Sequence, residues 1–169
     1  MDTKKALLQA AGEIVAAGGS RTLTLEAVAA RAGISKGGLL YHFPSKSALI
    51  AGMVAQAVEA FGQALAAAEA SSGDWLEGYV EATLADLDQG EPLSGVLTAV
   101  AEDPGLLEPF RQALARWYQR AEADYGSRAL PLLLALDGLW FHLQVGTLPA
   151  FDRSALAQNL RALAREARK

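Results

Sequence analysis

GISKGGLLYHFPSKSAL, residues 33–49, sets a helix stop, a short helix and a further helix start within one run. Just upstream, Leu25, Val28, Ala29 and Ala32 recur at helical spacing, with Thr24 as an N-cap and Glu26 in the first turn. Gly33 stops that helix, because only glycine enters a left-handed C-cap cheaply. Ser35 caps the next helix, which turns Leu39 and Phe43 inward. Two short helices joined by a three-residue turn containing glycine form a helix-turn-helix, and small Ala29 and Ala32 permit the close crossing it needs.

Gly37 and Gly38 stand in the first turn of the second helix, where each costs about 1 kcal/mol relative to alanine. If the N-terminal end of this helix enters a major groove, the missing side chains let the backbone approach bases and phosphates while Lys36 reaches across the surface. The plain structural alternative is a tight turn with a frayed helix. Pro44 ends the second helix and Ser45 caps a third, so Lys46 falls in a first turn whose N–H groups suit a phosphate. Tyr41 and His42 carry donors for phosphate oxygens and apolar edges for a thymine methyl. Taken singly, a half-buried ring and a solvated imidazole explain them equally well.

Charge separates the chain into two parts. Residues 1–50 carry six lysines and arginines against three acids, a net +3, and the remaining residues carry −7, which together give −4. A basic head on an acidic body suits a protein that presents one end to phosphate. At 169 residues and 51% hydrophobic content the chain has room for a small head and one larger core. It has no cysteine, which excludes disulfides and thiolate metal sites, fits a cytoplasmic location, and leaves only His42 and His142 as imidazoles, far apart in sequence. No cofactor or metal is expected. Lys4 and Lys5 ahead of an apolar run superficially suggest a signal peptide, but Gln9 and Glu13 interrupt the run. Leu7, Leu8, Ala11, Ile14 and Val15 read instead as the stripe of a first helix that Gly18 and Gly19 end.

The run from Thr24 through Ala32-Gly33-Ile34-Ser35, Lys36-Gly37, Leu39, Tyr41-His42-Phe43 and Pro44-Ser45-Lys46 to Leu49 resembles the TetR family of bacterial transcriptional repressors. The resemblance covers residues 22–50. It implies an all-α, two-fold dimer with a three-helix head for double-stranded operator DNA and a larger body for a small-molecule effector. Carried over residue by residue, it gives Thr24 a phosphate contact, sets Ser35, Lys36, Gly37 and Gly38 at the groove, and has Tyr41, His42 and Lys46 hold the backbone. One position departs from the pattern: family members place a DNA-contacting tyrosine directly after the residue matching Leu39, and this chain has Leu40. That contact is either lost or taken over by Tyr41.

The head is expected to occupy residues 1–46 and the body 47–169. Within the body, Ser47 to Ala70 reads as one long alanine-rich helix that links the two. Further helices follow over DWLEGYVEATLADLD (capped by Asp74), a short segment from Pro92 to Ala101, and a longer helix from about Leu106 to Asp124 behind Asp103-Pro104. Residues 127–151 are the most hydrophobic, yet Asp137, His142 and Gln144 interrupt them, so a helix buried on more than one face is expected in place of a membrane span. The last helix, capped by Asp152 or Ser154, carries Leu156, Leu160 and Leu163 on one stripe, with Arg161, Arg165, Arg168 and Lys169 complementing its dipole. By apolar excess and family analogy, these last two helices form a homodimer interface.

For an effector site, pockets need apolar walls and a few polar tips. Trp75, Tyr79, Phe110, Trp117, Tyr118, Trp140, Phe141 and His142 are the candidates, and ordinary core filling accounts for each as well. Two other functions compete with ligand-responsive repression. Gly33-Ile34-Ser35-Lys36-Gly37 fits the G-x-S-x-G nucleophile pattern, with Asp137 and His142 following in hydrolase order, but that mechanism needs Ser35 on a strand-to-helix turn and no strand pattern precedes it. A nonspecific DNA-binding or structural helical bundle is the other alternative, with no preference for sequence.

Overall fold

Each helix start that the sequence marks with a hydroxyl or carboxylate uses it. Backbone N–H groups of Lys4, Ala27, Gly38, Ala48, Glu77 and Ala155 donate to the side chains of Asp2, Thr24, Ser35, Ser45, Asp74 and Asp152 at 2.9–3.1 Å. Such caps contribute about 1 kcal/mol each by satisfying donors that the helix itself leaves open. The computed structural model describes residues 2–19, 21–89, 103–144, 147 and 150–168. Among them are α1 (Thr3–Gly18), α2 (Leu25–Ala32), α3 (Lys36–His42), α4 (Lys46–Ser72), α5 (Trp75–Gln89), α6 (Glu108–Tyr125), α7 (Leu130–Gln144) and α8 (Arg153–Ala167), with no strand. The fold is all-α. The Pro92 to Ala101 segment lies outside the described residues.

The chain divides into two compact units, Met1–Val58 with Pro92–Arg111, and Glu59–Glu91 with Gln112–Lys169. In the first, α1 packs on α2 and α2 on α3. Small Ala11 and Ala29 are buried where large side chains would hold the helices apart, and Leu7, Leu23, Val28, Leu39, Leu49 and Ile50 fill the core. Leu39 is the only fully buried side chain of seven-residue α3, so it and neighbouring Phe43 hold that helix to the head. Leu39→Ala would remove about 2–5 kcal/mol and release α3. Leu106 joins the same core, with Phe110 packed against it.

The second unit is built on Trp75, Leu76, Tyr79 and Val80 of α5, Ala121 and Tyr125 of α6, Leu132, Leu133 and Leu136 of α7, and Leu160 and Ala164 of α8. A Cβ on Gly78 would come within 2.7 Å of the Glu69 backbone nitrogen, so glycine there permits α5 to approach α4. Buried Asp74 ties three helices together. Its Oδ1 caps α5, and its Oδ2 accepts the Tyr125 hydroxyl at 3.0 Å and faces Arg168 Nε at 3.2 Å. Arg168 therefore serves α5 as well as the end of its own helix.

One helix start shifts from expectation. The helix expected from Leu106 begins with a tighter 3-10 turn over Pro104–Leu107, opened by Asp103, whose carboxylate takes the Gly105 N–H, and α6 proper starts at Glu108. α7 is not buried all round within one chain: Leu130, Leu134 and Phe141 are 45%, 57% and 53% exposed. Long α4 is apolar enough by composition to suit a bilayer. Alanine supplies much of that apolarity, and its Leu49, Ile50, Val54 and Leu65 are buried in the two cores.

Candidate nucleic-acid interface and effector site

The turn between α2 and α3 is fixed by hydrogen bonds that only a left-handed residue allows. Gly33 adopts φ 68°, ψ 28°, its N–H reaches the Ala30 carbonyl at 3.2 Å, and the Ile34 N–H donates to the Ala29 carbonyl at 2.9 Å. Thr24, Ser35 and Ser45 each accept from the third N–H of their helix, which leaves the earlier donors of three short-spaced helix starts facing outward. With Leu39 buried, α3 turns Lys36, Gly37, Leu40 and Tyr41 to solvent, Tyr41 at 86% exposure. His42 is half-buried, its ring set edge-on to Tyr41 at 5.2 Å. Lys46 opens α4 on the exposed side.

The two α3 glycines have different surroundings. Nothing lies within 4 Å of a Cβ placed on Gly37, whereas one on Gly38 would meet Ile34 Cγ2 at 2.9 Å. Gly37 leaves the outer surface open; Gly38 admits the turn's own isoleucine. Lys36 is not a bare cation, since its Nζ lies 2.6 Å from Glu26 Oε1. The Lys36 hydrogen bond holds the Glu26 carboxyl below the ordinary carboxylate range. Arg31, facing Glu13 at 2.7 Å, ties α2 to α1. The Ser35 hydroxyl caps α3 by accepting the Gly38 N–H, and the residue follows helix α2 and not a strand.

In the second unit, helix packing collects some of the aromatic candidates and separates others. Tyr79, Trp117 and Phe61 lie with ring centroids 5.0–6.0 Å apart, and Trp75 stands 5.3 Å from Tyr79. Beside them is Asp137 of α7, whose Oδ1 accepts the Tyr79 hydroxyl at 3.2 Å and whose Oδ2 accepts the Tyr118 hydroxyl at 2.6 Å. Burial raises Asp137 above its usual carboxylate value, the two hydrogen bonds opposing that rise. Burial and the adjacent carboxylate drive both tyrosines far above the ordinary phenol value. Trp140 donates its Nε1–H to Asp86 at 2.8 Å, and burial raises Asp86 as well.

Phe110 is not part of this group, because it packs on the head core. Phe141 points to solvent. His142, expected as a satisfied core histidine, is exposed instead, with Nδ1 2.8 Å from Thr147 Oγ1. Phe61 carries no mark of this cluster in the sequence, where Asp137 reads only as an interruption of an apolar run or a hydrolase acid. The usable signal was that interruption: a lone acid in an apolar helix needs partners. Among the described residues no group of three or more His, Asp or Glu side chains is arranged to hold a metal.

Known proteins match both parts of the chain. Residues 7–53 match the bacterial regulatory proteins of the tetR family, and residues 73–165 match the Tetracyclin repressor-like, C-terminal domain. Similar solved structures include a TetR-family member from Streptomyces coelicolor A3, at 24% identity and TM-score 0.71 over 96% of this chain and 98% of that one. A transcriptional regulator from Rhodococcus sp. Rha1 aligns at 22% identity and TM-score 0.73 over 97% and 95%. The multidrug binding protein EbrR complexed with ethidium aligns at 25% identity and TM-score 0.65 over 96% and 98%. No curated protein matches the chain.

Proposed function

Because this chain belongs to the TetR family and is a DNA-binding transcriptional regulator, we propose that it is a ligand-responsive repressor, a cytoplasmic homodimer that a small-molecule inducer releases from a pseudo-palindromic operator. The observation that carries this reading is the outward face of α3, Lys36, Gly37, Leu40 and Tyr41, between the capped starts of α3 and α4. A helix that offers its N-terminal residues this way fits the major groove, and helix starts on either side fit phosphates. Lys36 and Gly37 then meet base edges. Thr24, Ser35, Tyr41, His42 and Lys46 hold the sugar-phosphate backbone, and Gly38 keeps the turn compact beneath them. Leu40 lies on the same face, and its only complementary group in the groove is a thymine methyl.

Exposed Leu130, Leu134 and Phe141 of α7, with Leu163 of α8, support a homodimer through the two C-terminal helices, since large apolar groups along one helix favour a partner over water. Two heads then read half-sites about 34 Å apart. For the effector, the Tyr79, Trp117, Tyr118 and Trp75 cluster of the second unit is the best-supported site, with residues 1–46 as head and 47–169 as body. Similar EbrR has been solved with imidazole and with ethidium. The inducer acts by preferring the arrangement that cannot bind DNA; equal affinity for both would shift nothing.

Selection of bound sequences from random double-stranded DNA tests this function. An enriched inverted repeat whose binding is lost in Lys36→Ala is expected. Binding that is indifferent to sequence and governed by salt alone would instead identify a nonspecific DNA binder.

A further inference from the structure

The Asp137 carboxylate is half-buried, and its hydrogen-bond partners are neutral. Its two hydrogen bonds come from phenols, and the 2.6 Å bond from Tyr118 falls in the range of a hydroxyl donating to an ionised oxygen. No lysine, arginine or histidine among the described residues pairs with it. Three arginines of this unit are committed elsewhere: Arg120 to Glu69 and Asp124, Arg161 to Glu81, Arg168 to Asp74 and Glu77. A carboxylate partly withdrawn from water loses solvation that a counterion would restore. If two hydroxyls needed only an acceptor, asparagine would supply one without that charge.

The surroundings suit a cation. The rings of Tyr79, Phe61 and Trp117 form one connected group next to the carboxylate, and aromatic faces attract positive charge while offering apolar area. Two hydrogen bonds also leave part of the carboxylate's accepting capacity unused.

We propose that Asp137 is the anionic anchor of the effector site and that the effector is a hydrophobic organic cation, its charge paired with Asp137 and its apolar body lying against Trp117, Phe61 and Tyr79. This rests on the reading of the body as an effector-binding unit and specifies the class of molecule it takes.

The test uses the 169-residue chain in solution, with tryptophan fluorescence and operator release as readouts. The probes are two cations, tetraphenylphosphonium and ethidium, and the neutral triphenylphosphine oxide. At least one cation is expected to bind about tenfold or more tightly than the neutral probe and to release DNA. Asp137→Asn should remove that preference, yet keep operator binding and the neutral probe's affinity. Equal binding of charged and neutral probes by the wild type, no binding of either cation, or an unchanged cation preference in Asp137→Asn overturns the proposal. The wild-type comparison stands even if the variant fails to fold. Release of the operator by neutral or anionic molecules alone would defeat the cation assignment but leave the regulator intact. Failure to find any sequence-specific operator would defeat the regulator reading itself.

Discussion

Lys36 Nζ lies 2.6 Å from Glu26 Oε1, so the cation at the tip of α3 is already neutralised by the helix before it. DNA must displace that carboxylate or accept it nearby. Glu26→Gln is expected to tighten operator binding about 3- to 10-fold at low salt and to steepen the log–log salt dependence by about one unit, as one more positive charge becomes available to phosphate. Binding isotherms across a potassium chloride series check this, and an unchanged affinity and slope would remove Glu26 from any role in binding.

Gly37 and Gly38 should respond to alanine in opposite ways. Gly37→Ala meets nothing in the free protein and adds helix propensity, raising stability by up to about 1 kcal/mol while weakening operator binding because its methyl occupies space that DNA needs. Gly38→Ala drives a Cβ against Ile34 Cγ2 and should lower the melting temperature. Thermal melts beside binding assays separate the two, and a Gly37→Ala protein that bound DNA as the wild type does would contradict the close-approach reading.

Leu40 offers a chemically clean comparison. Replacing single thymines of the selected operator with uracil deletes only a methyl group. At one position per half-site, wild-type affinity should fall about 2- to 10-fold, and Leu40→Ala should be insensitive to the same change. Discrimination that survives in Leu40→Ala would assign the methyl contact to Tyr41 or His42.

These three predictions rest on features legible in sequence to different degrees. Thr24, Gly33, Ser35 and Ser45 act on residues within five positions, so their caps and turn could be read directly. The adjacent glycines could not be told apart, since the difference is one Ile34 methyl in space. Residue type alone marks the effector candidates, and packing sorts them: Tyr79 and Tyr118 meet at Asp137 across 58 and 19 residues, while Phe110 joins the head. Long-range pairings of this kind leave no periodic trace. His142 followed Asp137 in hydrolase order, yet α7 turns Asp137 toward two tyrosines and leaves His142 exposed.

Asp74 should be among the most sensitive positions of the second unit. Asp74→Ala removes the α5 cap, takes away the acceptor of the Tyr125 hydroxyl and leaves Arg168 with Glu77 alone, at a cost of about 2–4 kcal/mol. Chemical denaturation should record a lower midpoint, with Asp74→Asn intermediate because it retains an oxygen for the cap. A midpoint equal to wild type for Asp74→Ala would refute the structural role.

Acid and base should act on opposite sides of two carboxylates. Burial raises Asp137, so its favourable contribution is fully present below the unfolded pKa and is lost as pH rises through the folded one. Ligand-free Asp137→Asn should therefore melt roughly 1–3 °C above wild type at pH 7, with the gap closing toward pH 4, the effect staying modest because the carboxyl is only half-buried. Glu81 is lowered by its Arg161 hydrogen bond, so its contribution is present above the unfolded pKa and lost as pH falls. Glu81→Gln should accordingly destabilise at pH 7 and converge with wild type in acid. Melting curves from pH 4 to 8 record both trends, and an Asp137→Asn protein less stable than wild type at neutral pH would mark that carboxylate as purely structural.

Leu106 in the head core bears on how this regulator can be re-engineered. Exchanging DNA-reading modules between related regulators assumes that the head is a cassette encoded by one continuous segment. Here the hydrophobic centre that supports α3 is completed by a side chain more than fifty residues downstream of Leu49, with Phe110 beside it. A graft that ends anywhere along α4 would carry the reading residues and leave part of their foundation behind. Chimeras that also transplant residues 103–111 are the ones expected to keep the donor's sequence preference.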